Sequence, residues 1–135
     1  MKKRSLILFC ILLLLNACEE NTYTPEFLED NKIRMEVGKE IVFTYDPVAC
    51  QYSYNLERCE FRAHTDNMSE FFHIRLESLP NTEGEEIIAS EMEWTQKNWI
   101  NQSRKNIVLQ VVKLQDNKVW LWNSKESIKM IVQFQ

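Results

Sequence analysis

Between Ile33 and Phe134, apolar residues return at every second position in one short segment after another. A period of two puts them on one face of a strand, because successive side chains of an extended chain point to opposite sides. Ile33, Met35 and Val37 alternate with Arg34 and Glu36 before Gly38-Lys39, and Ile41, Phe43 and Tyr45 follow before Asp46-Pro47. Cys50, Tyr52 and Tyr54, then Cys59, Phe61 and Ala63, predict a hairpin; Phe72, Ile74 and Leu76 predict a strand that stops at Leu79-Pro80-Asn81. Glu86 to Trp94 is expected to present Ile88, Ser90, Met92 and Trp94 on one face, and the polar run Thr95 to Asn106 to be an exposed loop. Ile107 to Leu114, Val119 to Asn123 and Ile128 to Phe134 complete the pattern, with a turn at Asp116-Asn117-Lys118. No segment keeps a helical period over the roughly ten residues a helix needs. About eight short strands at this spacing predict an all-β chain: a single small antiparallel β-sandwich, with a small β-barrel as the alternative.

The first residues follow a different rule. Met1-Lys2-Lys3-Arg4 is basic and Leu6 to Leu15 is an apolar run of ten residues, the pattern of a bacterial export signal. Such a run is too short to cross a bilayer, which takes about 20 apolar residues. It ends in Leu15-Asn16-Ala17-Cys18, where Ala17 suits cleavage but Leu15 does not suit an ordinary signal peptidase. A leucine, a spacer, a small residue and then cysteine resembles the lipobox of bacterial lipoproteins. The resemblance implies a diacylglycerol on the Cys18 thiol and Cys18 as the mature N-terminus. Glu19-Glu20 directly after it resembles the export cue of Bacteroidota lipoproteins, which implies an outer-membrane protein exposed at the cell surface, the periplasmic face being the alternative. On this reading residues 1–17 are a cleaved signal peptide, 18–31 an acidic tether and 32–135 the β domain. The stretches "VGKEIVFTYD" and "KVWLWNSKESIKMIVQFQ" resemble small Bacteroidota lipoproteins of unknown function, a likeness that implies location rather than activity.

Removal of residues 1–17 would leave 118 of the 135 residues, a length for one domain. Losing Lys2, Lys3 and Arg4 takes the 16 basic residues to 13, against 20 acidic ones. Five of the acids, Glu19, Glu20, Glu26, Glu29 and Asp30, precede Lys32, so the acidity sits in the tether and the body is near neutral. Without a basic stripe to neutralise phosphates, the chain is not expected to bind nucleic acid. An acidic tether also repels anionic headgroups and holds the domain off the membrane.

With Cys10 removed and Cys18 acylated, Cys50 and Cys59 remain as an even pair in an exported protein. A hairpin turning at Tyr54-Asn55 sets them opposite one another, so a disulfide worth roughly 2–3 kcal/mol is expected. Free or metal-bound thiols are the alternatives.

Residues for catalysis are few. His64 and His73 are the only histidines, and neither a GxSxG elbow, an HExxH helix nor a glycine-rich phosphate loop is present. His73 is expected to point outward with Arg75, and both histidines to be solvated. The runs Glu83, Glu85, Glu86 and Glu91, Glu93 read as solvated charge, no metal is expected, and no motif asks for a cofactor. Tryptophan is the stronger signal. Trp120 and Trp122 share one strand face, and Trp94 and Trp99 flank the start of the polar run. Exposed, they would stack on sugar rings or anchor a protein partner; buried, they are core. The sequence therefore predicts a non-enzymatic binding or interaction module, held to the membrane by Cys18 and taking a glycan or an outer-membrane protein partner. A small hydrolase built on His64 or His73 with carboxylates, or a purely structural scaffold, stands as the alternative.

Overall fold

The structure is a computed structural model that describes residues 25–96 and 100–135. The expected signal segment 1–17, the expected acylation site Cys18 and Trp99 lie outside the described residues. A one-turn helix, α1 (Pro25–Glu29), precedes nine strands: β1 (Arg34–Val37), β2 (Glu40–Thr44), β3 (Cys50–Asn55), β4 (Glu60–Thr65), β5 (Phe71–Leu76), β6 (Glu86–Gln96), β7 (Ile100–Gln115), β8 (Lys118–Asn123) and β9 (Ile128–Gln133). All nine form one antiparallel sheet in the order β2-β1-β9-β8-β7-β6-β5-β4-β3. The chain is all-β as expected, but it is a single curled sheet, a half-barrel, rather than a two-sheet sandwich.

Chain connectivity explains the curl. Strands β2 and β3 are consecutive in sequence yet occupy opposite edges. A flat nine-strand sheet would separate its edges by about 38 Å at ~4.8 Å per strand. The link from Thr44 to Cys50 reaches at most about 22 Å fully extended, and it is folded back, with the Cys50 amide donating to the Asp46 carbonyl at 2.8 Å. The sheet must therefore roll until its edges approach. Side chains, not a ladder, close the gap: Phe43 of β2 meets Phe72 of β5 at 5.2 Å between ring centroids, and Tyr45 meets Tyr52 of β3 at 5.5 Å. The concave face is the main core, with Phe61, Ala63, Ile74, Leu109, Val111, Leu121 and Met130 all fully buried.

Three local readings change. The β3–β4 hairpin pairs Cys50 with Thr65 and Tyr54 with Phe61. Its turn is the longer Leu56–Cys59, in which the Arg58 amide donates to Asn55 Oδ1 at 3.1 Å and Cys59 takes a left-handed φ of 53°. Cys50 and Cys59 thus lie near opposite ends of the hairpin, about 20 Å apart along the strand, far beyond the ~7 Å Cα separation a disulfide allows. Both are free thiols, Cys50 buried and Cys59 half-buried. Brief alkylation of the native protein followed by peptide mapping should therefore label Cys59, and Cys50 only after unfolding. Equal protection of both until reduction would restore the bridge.

The second change is in β6, where a bulge at Ser90 splits the expected face. Ile87 and Ala89 turn inward on one side of it, Met92 and Trp94 on the other, and Ile88 is exposed. Third, the polar run Thr95 to Asn106 is mostly strand. β6 and β7 continue as a long ribbon, with Thr95 opposite Asn101 and Gln96 opposite Ile100.

The convex face carries a small second core. Helix α1 lies across β8 and β9 and buries Phe27 completely against Trp120 and Ile131. The Trp120 indole N–H donates to the Phe27 carbonyl at 2.9 Å and the Asp30 carbonyl at 3.1 Å, carbonyls that a short helix leaves open. Lys113 Nζ sits 4.6 Å from the Trp120 ring centroid and donates to the Leu28 carbonyl. Arg34 pairs with Asp30 at 2.9 Å and lies over the Phe27 ring. The end of the expected 18–31 tether is therefore docked structure.

Candidate functional site

Antiparallel register lines up the convex-face residues in rows. One row runs Glu86, Gln110, Trp122, Lys129 and Glu36 across β6, β7, β8, β9 and β1. Trp122 is half-buried there, beside a recess of about 530 Å³ lined by Glu86, Val108, Gln110, Asn123 and Lys125 among others. The β8–β9 turn forms its wall. Asn123 fixes that turn by donating to the Val108 carbonyl at 2.8 Å and accepting from the Glu126 amide at 2.8 Å. Ile88 and Val108, paired across β6 and β7, are exposed at its margin. An indole, amides, a carboxylate and a lysine lining one hollow bring apolar area and hydrogen-bonding groups together.

The other tryptophans part company with Trp122. Trp94 is 1% exposed in the main core, with the Arg104 guanidinium 5.3 Å from its ring centroid, and Trp120 is 2% exposed beneath α1. Neither offers a ring face to a ligand. Of the four tryptophans singled out by sequence, Trp122 alone among the described residues keeps accessible surface at a recess.

A second convex-face cluster surrounds the histidines. Arg62, His73 and Glu93 are adjacent in one row and Glu60, Arg75 and Glu91 in the next. His73 points outward as expected but is not solvated: its side chain is 13% exposed, and Nε2 is buried 3.8 Å from Glu60 Oε1 without a hydrogen bond. Burial, and then the Arg62 charge, lower the His73 pKa from 6.5 against the opposing pull of Glu60, Glu93 and Glu91. His64 is half-buried, its Nδ1 2.8 Å from the Thr65 carbonyl oxygen. The recess here, about 400 Å³, also has Met68 and Phe71 on its walls, and among the described residues that line it none carries a hydroxyl or thiol. Among the described residues no group of three or more histidines, cysteines or carboxylates is placed to hold a metal ion.

The lowered His73 pKa fixes a sign. In the fold the ring resists protonation, so as pH falls through about 6.5 the unfolded chain takes up the proton first and stability drops until folded His73 also protonates. Denaturant titrations at pH 7.5 and 5.5 should show a smaller loss on acidification in His73→Gln than in the parent. Equal losses would mean that His73 is not the group responsible.

Comparison with protein families, curated proteins and solved structures finds no match. Sequence reading missed the buried side of His73 and the docking of α1. In both cases the covering groups come from strands or segments distant in the chain, leaving no local signal.

Proposed function

We propose that this protein is a lipid-anchored cell-envelope binding module that captures a glycan ring at the Trp122 recess. The observation that carries the reading is Trp122 itself: a half-buried indole on strand β8 that lines a recess with Glu86, Gln110, Asn123 and Lys125. A strand-borne aromatic costs little ordering entropy on binding, and neighbouring polar groups supply orientation.

The anchor follows from the lipobox-like Leu15-Asn16-Ala17-Cys18 and the acidic pair after it. Acylation at Cys18 would set the lipid seven residues ahead of Pro25, where docked α1 begins, a separation of at most about 25 Å along the chain. The convex face bearing α1 then stays near the membrane of the bacterial outer surface or, in the alternative orientation, of the periplasmic side. Mass spectrometry of the mature N-terminus tests the anchor; an unmodified Cys18 still preceded by residues 1–17 defeats it.

Tryptophan fluorescence titration against an oligosaccharide panel tests the site. Because Trp94 and Trp120 are buried, a ligand-induced change reports on the accessible indoles. Trp122→Ala is expected to weaken binding by about 30-fold or more, the equivalent of about 2 kcal/mol for a buried aromatic anchor. Binding of neutral oligosaccharides that survives this substitution, or an inert panel, rules out the Trp122 site.

A further inference from the structure

The two free edges of the sheet meet at one end of the half-barrel, and the link after β2 bends across this mouth. Here lies a recess of about 880 Å³ whose walls include Lys32, Tyr45, Asp46, Tyr52, Lys118 and Gln133. They come from the lead into β1, the link after β2, and strands β3, β8 and β9, so the hollow exists only because the sheet is rolled. Its aromatic floor is fixed. Tyr45 and Tyr52 pack edge to face, and the Tyr52 hydroxyl accepts from Gln133 Nε2 at 3.1 Å and donates to the Gln135 carbonyl at 3.4 Å.

Charge at this mouth runs against that of the chain, which is −4 overall. Lys113 is occupied by the Leu28 carbonyl and the Trp120 ring, and Lys129 by Glu36 at 3.0 Å. Lys32 and Lys118, by contrast, form no ion pair with any described residue. The carboxylate on the wall, Asp46, accepts from the Val48 amide at 2.9 Å and is committed to its own turn. Lys32 and Lys118 thus line a concave space in which Asp46, engaged in its own turn, is the one side-chain carboxylate among the lining residues described.

We propose that this mouth binds a carboxylated sugar ring, the hexuronate unit of an acidic glycan, with its carboxylate held by Lys32 and Lys118 and its ring against Tyr45. A small inorganic anion would leave most of the hollow unfilled and make no use of the tyrosines. Lysine binds phosphate too, as a point charge without the planar fork of arginine, and neither an arginine nor either glycine of the chain, Gly38 and Gly84, lines this recess to build a fork or a backbone cradle. Tyrosine faces with a lysine pair and an amide suit a ring carrying one carboxylate and several hydroxyls. The inference rests on the reading of the protein as a glycan-binding module and adds a second, acid-selective subsite to it.

Calorimetric titration of the full mature protein with oligogalacturonate, its methyl-esterified form and monomeric galacturonate tests the proposal. Oligogalacturonate should bind at least 10-fold more tightly than the ester and lose affinity as salt is raised. Lys32→Met and Lys118→Met should each weaken it at least 10-fold with an unchanged Tm, while Lys39→Met, in the exposed turn between β1 and β2 and away from the recess, leaves it within 2-fold. Binding of the monomer with the same lysine dependence places the recognition in the single ring. Equal binding of acid and ester, or indifference to both lysines, overturns the proposal; if neutral saccharides still bind and depend on Trp122, the binding-module reading stands without it. Absence of binding by every saccharide, acidic or neutral, overturns both.

Discussion

Trp120→Ala is expected to be among the most destabilising single substitutions in this chain, costing about 3–5 kcal/mol. The ring is 2% exposed and is the centre of the convex-face core with Phe27 and Ile131. Its removal opens a cavity, strips the Phe27 and Asp30 carbonyls of their donor, and leaves Lys113 without the ring beneath it. For a domain of this size each kcal/mol shifts Tm by about 4–8 °C, so a fall of at least about 12 °C should be measured by thermal unfolding. Trp120→Phe separates the contributions: it keeps apolar bulk and loses the N–H, at a cost of about 1–3 kcal/mol for the unsatisfied carbonyls. Limited proteolysis adds the local readout, since α1 should become cleavable in Trp120→Ala before the sheet does. A Tm within 3 °C of the parent would mean that α1 is not docked as described.

Phe61→Ala should cost a similar ~3–5 kcal/mol, for a different structural reason. Phe61 is fully buried on the concave face, stacked on Tyr52 at 6.0 Å between centroids and in contact with Phe72 at 5.4 Å and Phe134 at 6.3 Å. Phe72 in turn carries Phe43 of the far edge. Phe61 thus sits in the aromatic cluster that substitutes for a ladder between β2 and β3. Its loss should raise amide exchange in β2 and β3 more than in the β6–β7 ribbon, which is held by backbone pairing. Phe61→Leu should recover more than half of the loss. Uniform exchange across all strands, with Tm unchanged, would remove the closing role assigned to this cluster.

The strands were legible where one face is buried, because burial is what writes a period of two into a sequence. Phe72, Ile74 and Leu76 show this, as do Met130 and Val132. Past Trp94 the signal vanished although the strand did not. In the outer part of the β6–β7 ribbon, exposed residues such as Ile100 and Asn101 stand on a strand that little covers, and backbone hydrogen bonds hold regardless of side chain. Hairpin register was likewise invisible. The Leu56–Cys59 turn depends on the Asn55 side chain and a left-handed Cys59, and neither feature has a composition signature strong enough to displace the symmetrical pairing of two cysteines.

Local stereochemistry alone determined that this chain is made of strands and, where no bulge intervenes as it does at Ser90, which residues share a face, since alternation along an extended backbone needs no partner. It put Trp120 and Trp122 side by side on one face and could go no further. Which of them is core and which borders a recess was decided by tertiary structure: α1 covers the one, while the other lines a hollow with residues of β6, β7 and the β8–β9 turn. The curl has the same origin. Only the sheet order, read against a link too short to cross a flat nine-strand sheet, brings the edges together and forms the mouth at which Lys32 and Lys118 meet the tyrosines.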